Sequence, residues 1–251
     1  MKKLLEFKNV KYFYQTKENE IEALNDISFS LSKDSFSSLV GPSGCGKTTI
    51  LSLSAGLLSP SSGSILLDDN PIKKNDDRIG YMFQQDHLFE WRTIWQNITL
   101  GLELQGLKKD KKKVAFAEEL LKKYDLYNFK NKKPRELSGG MRQRVALIRT
   151  LVLQPSLLLL DEPFSALDFQ TRLKVCDDVY SIIKNENKTA LLVTHDISEA
   201  LSMSDKVIIL SKRPAVVKEE VELSFDGATP LHKREDPLFG SYFEKIWRNL
   251  V

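Results

Sequence analysis

The sequence is short of the features that would place it in several common classes. It has only two cysteines, Cys45 and Cys176. Two isolated thiols exclude a disulfide framework and suit a reducing compartment. It also lacks a charge excess: 37 basic residues face 34 acidic ones, a net charge of +3. The strongly basic balance of a nucleic-acid-binding domain is therefore missing. No apolar run reaches the roughly 18 residues of a membrane span. The opening "MKKLLEFKNV" begins like a signal peptide, but Glu6 and Lys8 interrupt its apolar stretch at once. A soluble chain is expected, with any membrane role supplied by a partner. No internal repeat is visible.

What is present is ample apolar content, 41% of 251 residues, enough for one large domain or two modest ones. Short apolar runs recur with helical stretches between them, which predicts an α/β layer fold. Strands are predicted at "ISFSL" (27–31), "SFSSLVG" (35–41), "SILLD" (64–68), "RIGYMFQ" (78–84), "TALLVTH" (189–195) and "KVIILSK" (206–212). "SLLLLDE" (156–162) is the most apolar of them and is expected at the centre of the sheet. A helix is expected over "TTILSLSAGLL" (48–58).

Residues 92–154 carry almost no strand signal and several helical ones, such as "KKVAFAEELLKKYDL" (112–126), as a helical insertion would. "KKDKKK" (108–113) has two readings, a solvated helix start or a contact for an acidic lipid or nucleic acid. Phe243, Ile246, Trp247 and Leu250 recur at helical spacing and predict a short C-terminal helix on the body.

Chemistry enters at "GPSGCGKT" (41–48), which fits G-x-x-x-x-G-K-[ST] between a predicted strand and a predicted helix. Glycines let the backbone turn its N–H groups toward a phosphate. Lys47 has the reach for β- and γ-phosphates, and the Thr48 hydroxyl suits Mg²⁺. Asp161, at the end of the "LLLLD" run, supplies a carboxylate for that metal. Glu162 follows it, placed to polarise or position water in a phosphoryl transfer that depends on positioning and charge. Gln84 and His195 end two other predicted strands, so all of these groups fall at one sheet edge. "LSGGMRQR" (137–144) offers a second anion site, with two glycines after a serine at a predicted helix start.

Taken in order, "GPSGCGKT", "YMFQQ", "LSGGMRQR", "LLLLDEP", "SALD" and "LLVTH" resemble the ATP-binding subunit of an ABC transporter, over nearly the whole chain. The resemblance implies a P-loop NTPase core, a mostly parallel sheet with antiparallel N-terminal strands, and an inserted helical subdomain. It implies one ATP-binding domain over 1–251. Residues 1–87 and 155–224 would form the α/β core, 88–154 the helical part and 225–251 a short helical extension.

It also implies roles. Gly41, Pro42, Ser43, Gly44, Cys45, Gly46, Lys47, Thr48 and Thr49 would cradle the triphosphate of ATP. Thr48, Asp161 and Gln84 would serve Mg²⁺, with Gln84 sensing the γ-phosphate. Glu162 would polarise the attacking water, and His195 would be the switch histidine. Ser138, Gly139 and Gly140 would reach the ATP of a second copy, and Asp168 would sit in a loop crossing that homodimer interface. Tyr14 falls where an aromatic stacks on adenine, with Tyr12 and Phe13 as alternatives.

Met141 stands where the commonest form of the motif has Gln. With "LFEWRTIWQNI" (88–98) and "IWRNL" (246–250) it is similar to the importer branch for nitrate, sulfonates and taurine, although Glu90 replaces the usual Pro before Trp91. That branch implies transmembrane permease partners, an indirect solute-binding protein, no nucleic acid, and a place on the cytoplasmic face of the membrane. A soluble remodelling ATPase and an exporter subunit are the alternatives. Trp91 and Trp95 have two readings, packing of the helical part or a patch that receives a permease helix.

Overall fold

The computed structural model describes residues 2–15, 19–227 and 229–250. Met1, Thr16, Lys17, Glu18, Ala228 and Val251, which fall in the ranges above, lie outside them. The chain begins β1 (Lys3–Gln15), β2 (Glu20–Ser32), β3 (Phe36–Val40), α1 (Lys47–Ser54), β4 (Ser62–Leu67), β5 (Asn70–Pro71) and β6 (Ile79–Met82). Helices follow: α2 (Ile94–Ile98), α3 (Leu100–Leu104), α4 (Lys111–Lys123) and α5 (Gly139–Leu151). Then come β7 (Leu157–Asp161), α6 (Phe169–Asn185), β8 (Thr189–Val193), α7 (Ile197–Met203), β9 (Lys206–Leu210) and β10 (Val217–Glu222). The described chain closes with α8 (Pro230–Glu235) and α9 (Phe239–Leu250).

Two sheets result. The first, β2-β1-β4-β5, is antiparallel throughout, with the Phe7 and Phe29 rings stacked at 4.6 Å. The second runs β10-β9-β3-β8-β7-β6, parallel except for β10 on β9. The expected P-loop architecture is thus present, with its antiparallel N-terminal strands in a sheet of their own.

β7 shows why such strands read as unbroken apolar runs. Leu157 and Leu159 pack toward α1 and the N-terminal sheet, while Leu158 and Leu160 pack toward α5 and α6. Side chains alternate between faces and both faces are covered, so every position is apolar. Burial of each leucine contributes about 1.5–3 kcal/mol. Leu159→Ala is expected to cost about 2–5 kcal/mol, seen as a melting temperature lower by about 5–15 °C.

Three expectations need correction. β7 is not central: it lies fifth of six, between β8 and the edge strand β6, and β3 and β8 occupy the middle. Its composition follows from cover on both faces, which an off-centre strand shares. The helix expected over 48–58 stops at Ser54, because Gly56 turns left-handed (φ 67°) and ends it. The C-terminal helix is present as α9 and packs on the body through Ile246 and Leu250, but Phe243 and Trp247, expected on the same face, stack on each other on the outer side.

Candidate functional site

The carboxyl ends of β3, β6, β7 and β8 lie on one edge of the parallel sheet, the edge where open α/β folds hold ligands. The predicted segments 41–49 and 161–168 and residues Gln84 and His195 leave the sheet there, whereas 137–144 and 88–98 lie in the helical part and Tyr14 lies on β1 of the other sheet.

After β3 the chain turns through residues 41–46 and enters α1. Gly44 (φ 72°) and Gly46 (φ 120°) take backbone conformations that side chains disfavour. At Gly46 a Cβ would also meet Leu24 at 2.8 Å, so the turn closes only with glycine. No acceptor among the described residues takes the N–H groups of Gly44, Gly46 or Thr48. They form a concavity of free donors at a helix N-terminus. Lys47 is buried and donates from Nζ to the carbonyls of Gly41 (2.7 Å) and Pro42 (3.1 Å). Its ammonium is therefore held by neutral acceptors, and its charge is not cancelled by a carboxylate.

Cys45 packs beneath the loop, and burial pushes its thiol up. It serves as a small apolar support. Around the turn lies a cleft of about 350 Å³ lined by Tyr14, Ser43, Gly44, Gly46, Lys47, Thr48, Thr49, Glu162 and Arg213. Gly41, Pro42 and Cys45 lie outside this lining.

Asp161 is the last residue of β7. Burial pushes its carboxyl up, while a hydrogen bond from Tyr81 (3.0 Å) and the charge of Lys47 pull it down. A half-buried carboxylate with one protein donor, within reach of the Lys47 charge though outside the cleft lining, offers the oxygen ligands that a magnesium ion takes. Glu162 comes next, with φ 43°, a left-handed conformation uncommon outside glycine and asparagine. That turn directs its carboxylate toward β8, where His195 Nδ1 lies 3.1 Å from Glu162 Oε2. Gln84, two residues past β6, donates from Nε2 to Ser165 Oγ (3.1 Å).

Ser138 caps α5 by accepting from the Met141 N–H (3.3 Å), and Asp168 caps α6 by accepting from Thr171 N–H (3.1 Å). The hydrogen bonds from Thr171 hold the Asp168 carboxyl below its ordinary value. Both caps line a second cleft of about 400 Å³ with Gly139, Gly140, Arg142 and Arg144. A Cβ on Gly140 would meet Val175 at 2.7 Å, so glycine lets α5 sit close on α6. No residue lines both clefts.

Residues 24–165 match the family described as "ABC transporter". The chain belongs to the ABC transporter family. It is 45% identical over 244 residues to an uncharacterized ABC transporter ATP-binding protein, YtlC, of Bacillus subtilis, covering 96% of this chain and 94% of that protein. It is 42% identical over 219 residues to the taurine import ATP-binding protein TauB of Pelagibacter ubique, with 86% and 82% covered. Among solved structures, the dimeric structure of MJ0796, a bacterial ABC transporter cassette, superposes with a TM-score of 0.73 at 33% identity, covering 88% of this chain and 99% of that one. The chain is an ATP-hydrolysing cassette of the family.

Within the cassette the structure brings together residues that sequence reasoning treated singly. Glu162 and His195 form a pair, and Gln84 meets Ser165. Tyr14 reaches the loop through its hydroxyl, 2.9 Å from Thr49 Oγ1, and its ring meets Tyr12 edge-on at 4.9 Å. Tyr81 and Arg213 were missed. Tyr81 was read only as part of an apolar strand, and Arg213 arrives from the turn after β9 with no spacing to mark it. The two tryptophans separate: Trp95 packs against the core, whereas Trp91 is 72% exposed with its ring 4.8 Å from Phe89. The packing reading therefore applies to Trp95 and not to Trp91.

Proposed function

We propose that the cassette energises a membrane importer of a small solute, of the nitrate, sulfonate or taurine kind. The observation that carries the reading is that Glu162 lines the same cleft as Lys47 and Thr48. A carboxylate paired with an imidazole thus faces the place where a terminal phosphate would lie. The TauB relatives, named for taurine import, favour the importer branch.

In this reading the loop N–H groups and Lys47 bind the triphosphate, and Tyr14 stacks on adenine. Glu162 accepts a hydrogen bond from the attacking water and aligns it, while His195 holds the Glu162 carboxylate. Thr48 and Asp161, with Gln84, would hold Mg²⁺, which supplies charge neutralisation at the phosphates. The second cleft needs a partner. Ser138, Gly139 and Gly140 line a cleft that shares no residue with the first, so in this reading two copies bind head to tail and each completes the other's site. Asp168 sits at that junction.

Trp91 and Phe89 form the exposed apolar contact for a permease helix, and a solute-binding protein acts through the permease. The cassette sits at the cytoplasmic face through these partners, without nucleic acid. Among the described residues no helix is long and apolar enough to cross a membrane, so attachment through the permease is the simplest arrangement.

Purification in detergent from the native membrane tests this. A multi-span protein is expected to accompany the cassette and to lose it on Trp91→Glu. ATPase activity stimulated by nucleic acid, with no membrane partner, would replace the importer by a remodelling function.

A further inference from the structure

The proposed chemistry uses Glu162 and His195 but does not say what holds their two segments together. Glu162 leads into the turn 162–168, and His195 lies in the turn between β8 and α7. One backbone bond, from the Glu162 N–H to the Val193 carbonyl (2.9 Å), extends the sheet pairing to the start of the first turn, and beyond it neither turn belongs to the ladder. Among the described residues, the charged group that contacts both turns on this side is Arg172, on the first turn and a half of α6.

Its guanidinium reaches two ways. Arg172 Nη2 donates to the Leu167 carbonyl (3.0 Å), on the turn that follows Glu162. Nη1 lies 3.6 Å from Asp196 Oδ2 and 3.7 Å from Glu199 Oε1, both just beyond His195. The backbone N–H of Arg172 also bonds the Asp168 carbonyl at 2.8 Å. Glu199 is 3% exposed, and its other oxygen accepts from the Thr194 hydroxyl at 2.7 Å. Thr194 immediately precedes His195, and its Oγ1 in turn accepts from the Asp196 N–H at 3.1 Å. Asp196 caps α7 through the N–H groups of Ser198 and Glu199.

A carboxylate this buried is costly unless its charge is answered, and Arg172 supplies the cation. The Arg172 Nε is itself buried without a partner. Stability alone does not require this arrangement: an apolar pair of similar volume is often as stable as a buried ion pair. The ion-pair distances are also longer than ordinary hydrogen bonds, by about 0.6–0.8 Å. The link therefore has room to tighten when the turns approach each other.

We infer that Arg172 and Glu199 are positioning residues for ATP hydrolysis: they tie the turn that carries Asp168 to the turn that carries His195, and so set the approach of His195 to Glu162. This inference rests on the proposed roles of Glu162 and His195. Because Asp168 lies at the second cleft, the same link gives the partner copy a mechanical route to His195. The partner would press on residues 165–168, and Arg172 would pass the displacement to α7.

The experiment is a double-mutant cycle on the full-length cassette, with kcat and KM for MgATP and the affinity for a fluorescent ATP analogue measured separately. Arg172→Gln and the isosteric Glu199→Gln are each expected to lower kcat by about 10–100-fold while KM and analogue affinity stay within about twofold. In a His195→Ala background, single-turnover measurement is expected to show less than about a twofold further loss from either change, since the group they position is gone.

Each failure has its own signature. If His195→Ala alone retains the wild-type rate, the reading of the catalytic pair is wrong. If His195→Ala loses the rate but folded Arg172→Gln and Glu199→Gln keep it, the positioning role is wrong. Equal losses in both backgrounds, or a kcat loss matched by loss of analogue affinity, would also overturn it in favour of general structural damage. Should Arg172→Gln not fold, Glu199→Gln alone completes the cycle.

Discussion

Glu162→Gln is expected to stop turnover, by on the order of 10²–10⁴-fold, while leaving ATP binding intact and making an ATP-dependent dimer long-lived. The amide keeps the shape and one acceptor of the carboxylate, so the φ 43° turn and the contact with His195 survive. It loses the negative charge that aligns and polarises water. In the proposed reading binding depends on other groups, the loop N–H donors and Lys47, which the substitution does not touch. The measurement is ATPase rate against nucleotide affinity and size in solution with ATP. A variant that hydrolyses ATP at close to the wild-type rate would remove Glu162 from the chemistry and leave Asp161 as the carboxylate at the end of β7.

The second large effect concerns the separate clefts. Ser138→Arg fills the second cleft and removes the cap of α5, and Lys47→Ala removes the charge that meets the phosphates in the first. Each variant alone is expected to be inactive. Mixed in equal amounts, they are expected to recover up to about one quarter of the wild-type rate, because half of the pairs are mixed and each holds one intact composite site. Nucleotide bound per dimer is measured alongside. Bound nucleotide without turnover in the mixture would show that both sites must be intact for hydrolysis. Full activity of Ser138→Arg by itself would dismiss the second cleft from the reaction.

Much of the phosphate site was legible because its rules are local. The four fixed positions of 41–48 span a single turn, and glycine at Gly44 and Gly46 is required by backbone angles that few other residues adopt. Ser138 and Asp168 were legible for a similar reason, as small polar residues ahead of helical segments, although their capping bonds emerge only in the fold. What the sequence hid were contacts between distant segments. Tyr81 donating to Asp161, Gln84 to Ser165, and the reach of Arg172 to Asp196 and Glu199 link residues with no common period. Trp91 and Trp95 could not be separated because residues 88–93 precede the helix and carry no helical phase.

By itself, then, the sequence determined the kind of groups present: a glycine-rich turn with a lysine at a helix start, two adjacent carboxylates at a strand end, and another glycine pair at a helix start. Each depends on conformational preferences acting over a few neighbouring residues. Only the tertiary structure decided which of these groups meet. The order β8-β7-β6 sets Glu162 beside His195 and leaves Gln84 on the far side of Asp161. The consecutive leucines of β7 state that both of its faces are covered, but they do not name its neighbours in the sheet. The separation of the two clefts was decided in the same way. The packing of α5 on α6 directs Ser138, Gly139 and Gly140 into a cleft with Asp168 and away from Lys47.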